Sequence, residues 1–278
     1  VAGAFIIVLR EIIEAGLIIG IVLAATHSLP SRGLYVAAGA GAGLLGAGLV
    51  AGFARSVSNA LAGSGQEVFN AAVLALAAGM LAWHNVWMAR HGREISNEMR
   101  RLGQEVKSGS RSLFALAIVV AAAVSREGAE VALFLYGLAV STQEPQLSLL
   151  AGGFLGLLCG AAVSLLTYRG LVILPPRAVF KVTAVLLAFM AAGMAAQCAA
   201  FLEQADIATR LGAVVWNTSR LLPDASLPGR VLHTLLGYTG QPTQLQLLVY
   251  VATLGVIFGL MKAVAPPHAG GGRKLAAH

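Results

Sequence analysis

The chain has 278 residues, 58% of them hydrophobic and 11% charged, with a net charge of +7 and a mean hydropathy of +0.80. That composition excludes an ordinary soluble domain, and long unalternating apolar runs exclude a β-barrel, which leaves an all-α polytopic transmembrane helical bundle. The positive balance does not imply nucleic acid, because the basic residues stand in short segments beside apolar runs, where retention on the cytoplasmic side explains them.

In chain order, runs of about 20 apolar residues, the length that crosses a bilayer core as a helix, lie near 4–25, 34–54, 67–89, 113–139, 149–172, 178–200 and 245–265. About seven spans are therefore expected. The first lacks a preceding basic region and carries ionised residues mid-run, so it reads as mature protein rather than a signal peptide. The loop at 90–111 holds Arg90, Arg93, Arg100, Arg101, Lys107 and Arg111, with Arg90–Glu94 and Arg101–Glu105 spaced as helical pairs. Arg32, Arg169, Arg177, Lys181, Lys262, Arg273 and Lys274 fall on the same face, and only Arg55, Arg210, Arg220 and Arg230 on the other. This places the N-terminus outside and the C-terminus inside the cytoplasmic membrane. The outer segment 201–244, with Trp216, Tyr238, Pro223, Pro228 and Pro242, is too long for a passive link. It reads as a lid, a dock for a donor protein, or short re-entrant helices. Cys159 and Cys198 stand singly in separate spans and read as small buried hydrophobes.

A repeat organises these spans. Residues 124–137, VSREGAEVALFLYG, echo 8–21, VLREIIEAGLIIGI, so that Arg10, Glu11 and Glu14 match Arg126, Glu127 and Glu130 at an offset of 116. Each R-E-x-x-E copy opens a group of three spans, and an odd number per group turns the second group upside down, the inverted-repeat plan of many transporters. The expected organisation is a first three-helix repeat at 1–89, a cytoplasmic basic loop at 90–111, a second repeat at 112–200, an extracytoplasmic segment at 201–244, and a seventh span with its tail at 245–278. Glycines four or five residues apart in the second helix of each group, Gly39, Gly43, Gly48 and Gly52, then Gly152, Gly156 and Gly160, permit close helix packing in lipid.

At 1.5 Å rise per residue, Glu11 lies ~10 Å below the outer end of its span and Glu127 ~21 Å above the inner end of its own. In a core about 30 Å thick the motifs share a level and can face each other. Within each helix the Arg and both Glu share one face. A charge at this depth costs at least ~2.5–3.5 kcal/mol. Four carboxylates against two guanidiniums leave an excess of negative charge, so mutual neutralisation alone does not account for them. A cation is expected between them. Oxygen donors without Cys or Met suit ferric or ferrous iron, manganese or calcium, and not copper(I).

Paired R-E-x-x-E motifs in the first and fourth of seven spans resemble the high-affinity iron permease family, the oxidase-dependent iron transporters of fungi and bacteria. The likeness extends to LAFMAAGMAAQCAAFLEQA at 187–205 and LLGYTGQPTQLQLLVY at 235–250. The resemblance implies import of iron, either ferric or ferrous oxidised in transit, with Glu11, Glu14, Glu127 and Glu130 binding the ion and Arg10 and Arg126 holding the motifs. It implies iron as cargo rather than cofactor, and supply by an extracytoplasmic protein that binds or oxidises ferrous iron. The first motif reads R-E-I-I-E where many members have Gly in the third position, as the second copy does. AWHNVWMARHG at 82–92 is closer to a bacterial subgroup than to the fungal proteins.

Other candidates are His84 and His91, seven apart on one helical face near the cytoplasmic end of the third span, as an exit station. Glu67, Glu203 and Asp206 at outer span ends are candidates for an entrance. No G-x-x-x-x-G-K-[ST] stretch occurs, so energy would come from a gradient or a partner. The rival readings are a carrier of another divalent cation or a proton-coupled exchanger, a membrane scaffold, and a di-iron enzyme. The last is disfavoured because no His follows a motif Glu by three residues.

Overall fold

A computed structural model describes residues 1–60, 66–142, 145–170 and 176–264, with side chains described except at 54–60, 66, 89–93, 95–96 and 176–180. The regular elements are helices: α1 (Ala2–Ala25), α2 (Arg32–Ala60), α3 (Gln66–Lys107), α4 (Phe114–Thr142), α5 (Gln146–Tyr168), α6 (Pro176–Gln204), α7 (Leu227–Leu236) and α8 (Gln244–Val264). The bundle is a membrane architecture. Arg32–Phe53 of α2, Glu67–Met88 of α3, α5, Lys181–Gln204 of α6 and α8 are each long and apolar enough to cross a bilayer. Helices α1 and α4 are comparably long, and each interrupts its apolar run with one R-E-x-x-E triad. Leu34, Leu45 and Leu49 on α2, Leu147 and Leu150 on α5, and Leu248 and Val251 on α8 point outward, while the motif charges point in. Lipid explains that inversion, since it solvates hydrocarbon and rejects unpaired charge.

Helix α1 packs chiefly on α5, α4 on α2, and α3 on α6. The first two contacts are built alike. A Cβ added at Gly156 would come within 2.6 Å of the Phe5 carbonyl oxygen, and one at Gly43 within 2.8 Å of the Ala121 carbonyl oxygen. Only glycine lets the backbones approach so closely. Gly48 and Gly52 do not join the stripe, because a Cβ at either would face open space. A core of Ile7, Leu74, Leu81, Phe134, Leu187, Met190 and Ile257 fills the space between α1, α3, α4, α6 and α8.

Two expectations are corrected here. Residues 90–107 are helix rather than loop, and only 108–111 of the expected loop are a turn: α3 continues to Lys107, where Leu102 and Val106 pack with Val22, Leu116 and Val120 in a second core. The onset of charge marks where the helix leaves the apolar stretch, while its apolar face persists. Arg101 pairs with Glu105 at 2.9 Å, as the spacing predicts; the Arg90–Glu94 pair lies outside the described side chains. Cys159 is exposed on the apolar face of α5 rather than buried, and Cys198 is half-buried.

The segment 205–243 is an ordered cap. Ser226 accepts a hydrogen bond from the Gly229 amide at the start of α7, and Gly237, with φ 68, ends it in the left-handed region that glycine favours. Tyr238 Oη donates to the Leu222 carbonyl at 3.0 Å, and Asp224 accepts from the Gly240 amide at 2.9 Å. The Val215 amide donates to the Pro242 carbonyl within the segment, and the Gln244 and Leu245 amides donate to the Ala213 and Leu211 carbonyls and tie it to α8. Helix α7 rests on α1, α4 and α6, at the end of α1 marked by Gly3 beside Thr234.

Candidate iron site

The site is assembled from α1, α3 and α4. On α1, the four-residue spacing of Arg10 and Glu14 closes an ion pair, Nε to Oε1 at 3.0 Å, and Arg10 Nη1 lies 3.5 Å from Glu11 Oε1. All three side chains are buried, at 2%, 1% and 4% exposure. On α4, Arg126 Nη2 approaches Glu127 Oε1 at 2.9 Å and its Nε lies 3.5 Å from Glu130 Oε1. Its guanidinium also stacks over the Trp87 ring of α3, 4.8 Å from the centroid. Glu127 is buried and Glu130 largely so, whereas the Arg126 side chain is 42% exposed.

Between the motifs stands His84. Its Nε2 lies 3.6 Å from Glu14 Oε2, and its Nδ1 contacts Glu130 Oε2. It is placed there by its neighbour, because Asn85 Nδ2 donates to the Ala184 carbonyl of α6 at 2.7 Å and fixes the rotation of α3. The ring of Phe134 meets the imidazole edge-on at 6.5 Å. Ligand atoms of Glu11, Glu14 and His84 lie within 4.8 Å of one another, as do those of His84, Glu127 and Glu130.

Among the described residues, both carboxylate oxygens of Glu11 and of Glu14, Oε2 of Glu127 and of Glu130, and His84 Nε2 are buried without an aligned hydrogen bond. Burying carboxylate oxygens is costly, and the ion pairs to Arg10, Arg126 and His84 offset only part of that cost. The convergence of these oxygens makes an oxygen-rich site of net negative formal charge, which a multivalent cation would balance.

The structure thus brings Glu11, Glu14, Glu127 and Glu130 together, with Arg10 and Arg126 as their flanking cations. His84, near the end of the apolar Glu67–Met88 stretch of α3, lies between the motifs and in contact with both. The side chain of His91 lies outside the described residues. The entrance candidates are not at the site. Glu67 and Asp206 are exposed, and Glu203 accepts a hydrogen bond from Thr243 Oγ1 at 3.0 Å, which joins α6 to the start of α8.

Comparison with known proteins adds the substrate. The model of the iron permease FTR1 family matches residues 1–266. The chain belongs to that family. It is 29% identical over 270 residues to proteins named ferrous iron permease EfeU from Escherichia coli O6:H1 (strain CFT073), Escherichia coli O157:H7 and Shigella sonnei, covering 96% of this chain and 96% of each relative. No solved structure matches. This iron permease is a multi-pass membrane protein, and iron is its transported substrate.

Proposed function

We propose that the chain imports iron as the ferrous ion across the cytoplasmic membrane, holding it between the two R-E-x-x-E motifs. The observation that carries this reading is the convergence of four buried glutamates from α1 and α4 on one site. The relatives' name, ferrous iron permease, supports the oxidation state. Most of the basic residues lie on one face, which supports an outside N-terminus and a cytoplasmic C-terminus.

The reading extends to the mechanism. The ion exchanges water for carboxylate oxygens, and Arg10 and Arg126 keep each glutamate pair oriented while the site holds no ion. The matched contacts of α1 on α5 and α4 on α2 support two inverted three-helix halves, and rocking of one half against the other opens the site inward. Protonation of the glutamates assists release. The cap at 205–243 receives an extracytoplasmic iron-binding or ferroxidase protein. The chain acts as a carrier and not as an enzyme.

The test is uptake of radioactive iron into proteoliposomes, under ferrous and ferric conditions separately, by wild type, Glu14→Ala and Glu130→Ala. Saturable ferrous uptake lost in both variants, with folded protein retained in the membrane, is the expected result. Uptake retained in both variants would remove the glutamates from the path, and uptake under ferric conditions alone would overturn the oxidation state.

A further inference from the structure

We infer that His84 is a nitrogen ligand of the transported ion, shared between the two motifs, and that it tunes the site to divalent first-row transition ions over calcium and magnesium. This rests on the reading that the ion sits between the motifs. The geometry is specific to this ring. One imidazole stands between two carboxylate pairs carried by different helices, with Nε2 facing Glu14 and Nδ1 facing Glu130. It completes a three-residue ligand group on either side, one with Glu11 and Glu14, the other with Glu127 and Glu130. The side chain is 4% exposed, and its Nε2 lacks an aligned hydrogen bond among the described residues.

A ligating imidazole is ordinarily oriented by a carboxylate on its second nitrogen. Here that partner exists whichever nitrogen holds the ion: with the ion on Nε2, Glu130 orients the ring through Nδ1, and with the ion on Nδ1, Glu14 does so through Nε2. The ring is also held from outside the site, by the Asn85 bond to α6 and by Phe134. Carboxylates alone accept magnesium, calcium and manganese, whereas imidazole favours iron, copper, nickel and zinc. A site of glutamates with one buried imidazole is therefore biased toward the borderline divalent ions, ferrous iron among them.

The first test uses purified wild-type protein loaded with manganese(II) alone as a paramagnetic probe, with electron spin echo modulation recorded on natural-abundance and 15N-histidine-labelled samples. A directly bonded histidine nitrogen is expected. It disappears in His84→Gln and persists in His91→Gln. In proteoliposomes, His84→Gln is expected to weaken ferrous uptake by about 10–100-fold and to make calcium an effective competitor, which it is not for wild type. Manganese bound in a Glu14-dependent manner without nitrogen coupling, or coupling retained in His84→Gln, would overturn the inference and leave the glutamate site standing. Binding indifferent to Glu14→Ala, or no binding by wild type, would overturn the glutamate site itself and His84 with it. The wild-type isotope comparison decides the point even where the variant fails to fold.

Discussion

The two motif copies carry the same three charges on the same helical face, yet the fold treats them differently. In the first copy Arg10 is 2% exposed and pairs with Glu11 and Glu14 of its own helix. In the second the Arg126 side chain is 42% exposed and divides its contacts between Glu127, Glu130 and Trp87. Helix α3 makes the difference, since it supplies both His84 and Trp87 and has no twin bearing the same side chains. The variable third position of the motif is explained by the same packing. Ile12 fits because it packs on Gly160 of α5, while Gly128 of the second copy faces Ala47 of α2. The bulk has moved from one side of the contact to the other. Similar charge patterns can thus be set on interfaces of opposite shape, one shut and one open on a side.

The sharpest way to break this comparison is to remove each arginine in turn. Arg10→Gln leaves two buried carboxylates without their cation and is expected to cost about 3–5 kcal/mol. Arg126→Gln is expected to cost less, about 1–3 kcal/mol, because the arginine is partly exposed although its partner Glu127 is buried. Thermal unfolding in detergent measures both, and equal losses would show that the copies are equally enclosed. A second test exchanges the packing. Gly128→Ile alone should lose about 1–3 kcal/mol from overpacking against α2. Adding Ala47→Gly should restore a large part, because the pair then reproduces Ile12 against Gly160; no recovery would mean that the interfaces are not equivalent. The smallest effect is expected from Trp87→Ala, about 0.5–1 kcal/mol through the lost guanidinium contact, with Arg10-side stability unchanged in the double variant with Arg10→Gln.

Much of this architecture is legible in the amino-acid sequence. Apolar length locates the long helices, and two triads in otherwise apolar runs mark the charged faces, because charge in hydrocarbon is too costly to be incidental. The position of His84 is not legible there. It depends on the rotation of α3 against α1 and α4, which Asn85 sets through a bond to a helix nearly a hundred residues away. Chain spacing pairs His84 with His91 instead, and the charges after Met88 conceal that α3 runs on to Lys107. The signals that point to the longer helix are the Arg101–Glu105 pair and the apolar Leu102 and Val106 on one face, which together describe an amphipathic helix. Cys159 departs from expectation because burial rules from water-soluble proteins fail for a helix whose outer face meets lipid.

The central claim is that both copies hold one ion together. Equilibrium binding of radioactive ferrous iron to the purified chain, kept reduced, tests it most directly in wild type, Glu14→Gln and Glu130→Gln. One ion per chain in wild type, bound at least ~10-fold more weakly in either variant, is the predicted result. Two ions per chain, each lost with its own motif and indifferent to the other, would contradict it.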